Sequence, residues 1–337
     1  MERVRTVRED DGPNAHVQSV SAQYRRYVVW LLFLIAVCNF FDRQLINILA
    51  EPIKQDLDLA DWQLGMLTGL SFAVLYTFAG IPIAVIADRT DRAKIISGAL
   101  FLWSMFTALC GSAQSFSQLL LARVGVGLAE SGCQPPSLSL IADYTPPEKR
   151  SSSMGHYSAG IPIGGLMALG AGGVIADQFG WRITFLIAGL PGVLLAILAF
   201  LTLHDPRAAQ SRTVRAAASR PVKECLTELA RTNIVWWLCL ASAAMGMVGY
   251  GLVAFLGSFF MRVHETGLLE LSGSIERLFG LHLGPLALVG LGLGLISGLS
   301  GAIGTWLGGQ IGDLLSRQNM AILLVVPGVA GPLAFPF

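Results

Sequence analysis

Charge is scarce in this chain. Only 13% of its 337 residues are Asp, Glu, Lys or Arg, where a soluble domain averages about 25%. With 53% hydrophobic residues and a mean hydropathy of +0.62, that shortage excludes an ordinary soluble globule and indicates a polytopic membrane protein. The net charge of +1 gives no reason to expect nucleic acid as a partner. Cysteine is sparse as well: Cys38, Cys110, Cys133, Cys225 and Cys239 form no close pair, and four fall in apolar runs. They read as small hydrophobes, so neither a disulfide framework nor a metal site is expected. The first 26 residues are polar and hold no apolar h-region, so no cleaved signal peptide is expected. Neither H-E-x-x-H nor G-x-S-x-G occurs, which argues against a membrane-embedded enzyme. Ser151–Ser153 and His156 do cluster, but at a helix start, where serines fit capping. No cofactor is expected.

Long apolar runs are what the chain has in quantity. They place spans at about 27–50, 63–87, 95–114, 117–142, 153–176, 183–203, 234–261, 283–312 and from about 320 onward. A helix rising 1.5 Å per residue crosses the ~30 Å hydrocarbon layer in about 20 residues. The expected fold is therefore an all-α polytopic membrane protein. Its connections sort by charge. Seventeen of the 23 basic residues fall on one side: the tail with Arg3, Arg5, Arg8, Arg25 and Arg26, the loop 88–94, Lys149 and Arg150, the linker 204–233, and Arg317. Lys54, Arg182, Arg262 and Arg277 fall on the other. That asymmetry predicts a cytoplasmic N terminus and a cytoplasmic linker. The expected domains are a tail at 1–26, a six-helix bundle at 27–203, the linker at 204–233 and a partial second bundle at 234–337. The linker's cations could lie along anionic lipid or serve a solvated hinge. Residues 262–282 would form an external short helix or excursion.

The stretch Asn39-Phe40-Phe41-Asp42-Arg43 sits inside the first span, with Asp42 roughly 22 Å along the helix. An ionisable group at that depth costs about 2.5–3.5 kcal/mol on insertion scales and marks an ion or substrate path. Arg123 and Glu130 are seven apart, two helical turns, so they share a face of the fourth span. Two acids and two bases could thus meet between spans 1 and 4, either as a closed cluster that orients helices or as a proton site. Burial and a neighbouring guanidinium act on a carboxyl in opposite directions, so motion of Arg43 or Arg123 could switch proton affinity. On this reading Asp42 is the principal proton carrier, Glu130 a second acid, and Arg43 and Arg123 the tuning cations. Asn39, Phe40, Tyr76 and Gln134 are the candidates to line a substrate cavity, with Phe41, Gln44, Asn47 and Trp103 as further wall residues. Glycines cluster on span 5 (Gly164, Gly165, Gly170, Gly172, Gly173) and along one face of span 8 (Gly290 to Gly312), which predicts close helix packing.

A weak internal repeat joins the two halves. Span 2 runs into GIPIAVIADRTDR and span 8 into TWLGGQIGDLLSR, each closing on an Asp with an Arg four later. Parallel repeats around a cytoplasmic linker fit one transporter plan. In ADRTDRAK, LLLARVGVGLAESG and NFFDRQLINIL the chain resembles the major facilitator superfamily, and specifically its spinster-like branch. The resemblance covers about 25–205 well and the second half loosely. It implies a proton-coupled secondary transporter of a small amphipathic or lipid-like molecule or organic anion, working by alternating access in the bacterial inner membrane. Membrane lipids and protons are its implied partners, and a complete member would be a monomer. It also implies a cytoplasmic gate motif at Asp88, Arg89 and Arg92, echoed by Asp313 and Arg317. A complete member has twelve spans, whereas this chain stops inside a ninth at GPLAFPF, so a transport-inactive truncated product or a membrane sensor is the competing reading.

Overall fold

The computed structural model describes residues 21–209 and 222–316, and the regular structure of those residues is helical throughout. Helix α1 runs Ala22–Leu57, and Ser21 caps it by accepting from the Tyr24 amide at 3.2 Å. Helix α2 runs Asp61–Arg89 through a π turn at Met66–Leu70. Helix α3 (Arg92–Cys110) starts on Asp91, whose carboxylate accepts from the amides of Ala93 and Lys94. A side chain that satisfies the otherwise orphaned first amides is what makes the short DRTDR turn a sharp helix start.

The fourth apolar run, expected as one span over 117–142, is two helices: α4 (Phe116–Glu130) and α5 (Gln134–Tyr144). Pro135 and Pro136 supply no backbone N–H, so the i to i−4 ladder cannot cross this point. The helix turns over at Ser131, Gly132 and Cys133 and restarts with proline in its first turn. Glu130 is therefore the last residue of α4.

Arg150–Thr202 is divided at Gly180, whose φ of 80° and ψ of 164° lie outside the helical region. A residue with a Cβ strongly disfavours such a conformation, and the chain reverses there into α6 (150–179) and α7 (181–202). Helix α8 (Val222–Arg231) precedes α9 (Asn233–Val263). The 262–282 excursion is helix α10 (Glu265–Phe279), and α11 (Pro285–Leu314) passes through a second π turn at Leu295–Leu299. Helices α1, α2 and α3, the stretch that holds α6 and α7, and α11 are each long and apolar enough to cross a membrane. The expected ninth span and Arg317 lie outside the described residues.

Small residues set how closely these helices approach. A Cβ on Gly160 would meet the Phe33 carbonyl oxygen at 2.9 Å, and one on Gly164 would run into the Val37 carbonyl and Phe40. Helix α6 therefore lies directly on the α1 backbone just before Asp42. Its other side packs on α11: Gly173 faces Leu286, Gly155 faces Gly309, and Gly290, Gly294, Gly298 and Gly301 face Leu169, Leu166 and Pro162. Gly304 and Gly308, in the same sequence stripe, face open space. Both ends of this helix pair are tied by an aspartate. Asp313 of α11 accepts from the amides of Ser151 and Ser152, 3.0 Å each, at the start of α6. Asp177 of α6 accepts from the Ala287 amide, 2.8 Å, at the start of α11.

At the end of the molecule that carries Arg25, Arg92 and Lys149, here called the basic face, Arg92 is a buried hub. Its backbone N–H and Nε donate to Asp205 at 2.9 and 3.0 Å, Nη2 donates to Asp143 at 2.7 Å, and Nη1 donates to Ser139 at 2.8 Å. Arg207 holds Asp143 from the other side at 2.8 Å. The start of α3, the end of α5 and the segment after α7 are thereby joined. Burial raises the proton affinity of Asp205, but the hydrogen bonds from Arg92 outweigh it and hold the carboxyl below the usual carboxylate range.

Two outcomes are expected. Gly164→Leu should destabilise the protein by about 1–3 kcal/mol through overpacking, read as a lowered melting temperature in detergent. The Asp205 carboxyl is depressed in the folded state, so its stabilisation is complete above the ordinary carboxylate range and is lost as pH falls through the folded value. Melting curves of Asp205→Asn should accordingly show a loss of ~3 kcal/mol at neutral pH that shrinks towards acid pH.

Candidate functional site

The apolar core falls into two clusters, and α1 belongs to both. Its residues up to Ala36 pack with Trp103, Val126, Leu140 and Ala199, and those from Leu45 pack with Leu119, Ala168 and Phe185. Between them lies a polar layer on α1 with Asn39, Asp42 and Arg43. Helix α4 brings Arg123 and Glu130 to the same layer because the two-turn spacing survives up to the break at Ser131.

Three of the four charges are enclosed, and the Arg43 side chain is 12% exposed. Asp42 is 2% exposed, Arg123 1% and Glu130 1%. Arg43 pairs with Glu130, donating from Nη2 at 3.0 Å and from Nε at 3.3 Å to the same oxygen. Its guanidinium carbon also lies over three rings, 4.4 Å from Phe72, 4.8 Å from Tyr76 and 4.8 Å from Phe40. Phe72 and Tyr76 stack at 5.4 Å, and the Tyr76 hydroxyl donates to Gln134 at 3.2 Å. Cation–π contact of this kind is worth up to about 2 kcal/mol when desolvated. Arg43 thus has an acid on one side and an aromatic cage on the other.

Asp42 and Arg123 are arranged differently. Arg123 donates from Nη1 to the backbone oxygen of Asp42, at 3.4 Å, and among the described residues its Nε has no partner. No ion pair joins Asp42 to either arginine among the described residues. The α3 side chains Trp103 and Thr107 lie beside the Asp42 carboxyl without completing a hydrogen bond to it. Glu130 keeps one oxygen, Oε1, without a partner among the described residues, as does the Asn39 amide nitrogen close by. Among the described residues the site holds two buried acids, the buried Arg123 and the partly exposed Arg43, and one acid–base pair, Arg43–Glu130, is closed.

The expected cavity residues divide. Phe40, with Gln44, lines a 330 Å³ cavity between α1, α6, α9 and α11. A 170 Å³ pocket sharing Leu169 and Ser297 lies beside it and is bordered by Asn47. Asn39 turns instead towards Glu130, Tyr76 faces Arg43, and Gln134 accepts from the Tyr76 hydroxyl. The gate-motif residues also separate. Asp88 and Arg89 are exposed at the end of α2, Arg92 is the buried hub, and Asp313 caps α6. Phe72, Thr107, Asp143, Asp205 and Asp177 are missing from the sequence reading. Asp143 and Asp205 carried a signal, as acids flanking the basic loops. Phe72 is one apolar residue among many, and nothing local distinguishes it.

At the opposite face a further cluster crosses between helices far apart in sequence. Arg262, at the end of α9, donates to Glu51 of α1 and to Asp61 of α2, both at 3.0 Å. Lys54 joins Asp61 at 2.6 Å.

A helical membrane protein with a buried ionic layer between paired spans belongs to the class of polytopic transporter folds. Residues 32–337 match the Major Facilitator Superfamily, and the chain belongs to that family. It is 32% identical over 306 residues to an MFS-type efflux pump of Mycolicibacterium smegmatis, covering 88% of this chain and 64% of that protein. It is 26% identical over 262 residues to a probable L-galactonate transporter of Escherichia coli, covering 74% of this chain and 58% of that one. The chain therefore spans about three fifths of the length of these relatives. Among solved structures, a bacterial homologue of the human lysosomal transporter Spinster, inward-facing and unoccupied, superposes with a TM-score of 0.64 at 32% identity. That match covers 86% of this chain and 75% of the other. Family and fold are those of transporters, not enzymes.

Removing one member of the closed pair should be costly. Arg43→Ala leaves Glu130 buried without its cation, an expected loss of about 3–5 kcal/mol. Arg43→Met combined with Glu130→Leu should recover most of it, and thermal unfolding of the single and double variants in detergent measures both.

Proposed function

We propose that this protein is a proton-coupled secondary transporter of small organic anions or amphipathic molecules, working by alternating access with its basic face in the cytoplasm of a bacterial inner membrane. The observation that carries the reading is the half-closed charge layer. Glu130 occupies Arg43, while Asp42, the adjacent residue on α1, is buried without an ion pair among the described residues. A proton delivered to Glu130 would cancel its pairing with Arg43 and free the guanidinium to seek the other acid. A proton on Asp42 would remove the attraction for Arg123. Each event changes which helix is held to which, and that is how protonation can bias a two-state equilibrium.

Residues 27–203 and 234–337 act in this proposal as two bundles that rock about the α6–α11 seam. The Arg262–Glu51–Asp61 cluster then closes the external side. Together with a cavity that opens at the basic face, it corresponds to an inward-facing arrangement, the state of the Spinster homologue. The sugar-acid and benzoate transporters among the relatives favour an organic anion as substrate.

The test is uptake into liposomes under an imposed pH gradient, with labelled L-galactonate, benzoate and a lysophospholipid offered in parallel. Substrate-dependent proton flux that disappears in Asp42→Asn is the expected result, with exchange across equal pH retained. Full pH-driven accumulation by Asp42→Asn would sink the proton assignment. Arg262→Ala should release the external closure, which increases labelling of a single cysteine placed at Ser258 by a membrane-impermeant thiol reagent in a background lacking the native cysteines.

A further inference from the structure

The basic face holds two populations of cations. Arg92 and Arg207 are spent on Asp143 and Asp205, and Lys94 lies 3.9 Å from Asp91. Arg25, Arg26 and Lys149 are different. They converge on a 450 Å³ cavity between α1, the start of α6 and the end of α11, and among the described residues no Asp or Glu lines that cavity. Among the described residues none of the three forms an ion pair. The positive-inside rule explains why cations lie on this face. It does not explain why three of them surround one hollow that no acid among the described residues lines.

The rest of the lining suits an organic anion. Trp30 and Trp306 supply apolar walls from α1 and α11. His156 packs edge-on against Trp30 with ring centroids 4.3 Å apart, and its buried Nε2 has no partner among the described residues. Asp313, one turn beyond Gln310 on α11, is not available to neutralise the cavity because both its oxygens accept amides of α6. The same three helices line the 330 Å³ apolar cavity at Phe40 and Pro162. Ten residues of α1 separate Trp30 from Phe40, a distance of about 15 Å.

We infer that the Arg25–Arg26–Lys149 cavity is a binding site for an anionic head group, a phosphate or a carboxylate, whose apolar portion extends along α1 towards Phe40. The head group can belong to a lipid of the adjacent leaflet or to a soluble organic acid. The inference concerns binding alone and stands apart from proton coupling.

Native mass spectrometry of the full 337-residue chain in detergent tests it. The probes are lysophosphatidylglycerol, lysophosphatidylcholine of the same acyl chain, and glucarate. The expected result is about tenfold tighter binding of the anionic lipid than of the zwitterionic one. The combined Arg25→Gln, Arg26→Gln and Lys149→Gln substitutions should abolish the preference. A control that removes three other cations of the same face, Lys94→Gln, Arg150→Gln and Arg231→Gln, should keep it. The exposed Lys149→Gln alone should weaken binding about threefold without disturbing the helices, which covers the case where the triple variant fails to fold. Displacement of the lipid by glucarate assigns the site to soluble acids, and its failure assigns the site to lipid head groups. Equal affinity for the two lipids, or an equal loss in the control, overturns the proposal.

Discussion

Arg43 cannot stay inside the hydrocarbon layer without Glu130. A guanidinium at that depth is tolerated only where its charge is met and its donors are engaged, and the rest of the architecture arranges that meeting. Helix α4 must bring Glu130 to the layer, and it does so in its last turn before the break that Pro135 and Pro136 impose. Helix α2 must bring Phe72 and Tyr76 over the opposite side of the guanidinium. Helix α6 must come close enough to α1 to seal the layer, which is why Gly160 and Gly164 face the α1 backbone. Removing water from around the pair strengthens the attraction within it and raises the cost of losing either partner. The same enclosure makes the neighbouring Asp42 and Arg123 sensitive to any change in who holds whom.

The two faces of the molecule use ions in contrasting ways. At the basic face most of the structural work falls to Arg92, which joins three chain segments and does not move charge between the halves. At the opposite face the exposed Arg262 ties α9 to α1 through the buried Glu51 and to α2 through the exposed Asp61. The exposed Arg262–Asp61 pair is of a type that is individually weak, with a median near 0–1 kcal/mol.

Much of this was legible in the sequence because bilayers impose simple rules. The small-residue faces of α6 and α11, and the positions of Asp42, Arg43, Arg123 and Glu130 within apolar helices, follow from apolar length, glycine spacing and the rarity of charge. The partner choice does not follow. Spacing shows that Arg123 and Glu130 share a face, but not that Arg43 rather than Arg123 takes Glu130, since that depends on rotamers and on the aromatic cage. The interruption of the fourth span was present in Pro135–Pro136, yet apolar length alone reads through it. Arg92 belongs to a loop motif that suggests a gate, whereas its burial depends on Asp143 and Asp205, which lie 51 and 113 residues away.

The aspartates at the two ends of the α6–α11 pair bear on how the chain is made. Ser151 and Ser152 receive their cap from a residue about 160 positions later, and Ala287 receives its own from one 110 positions earlier. Synthesis therefore delivers α6 to the membrane with its first amides open to water, and they stay open until residue 313 has left the ribosome. Helix α11, by contrast, meets a ready acceptor as soon as it begins to insert. Assembly is thus directional: the end of the seam opposite the basic face can close while translation continues, and the basic end closes last.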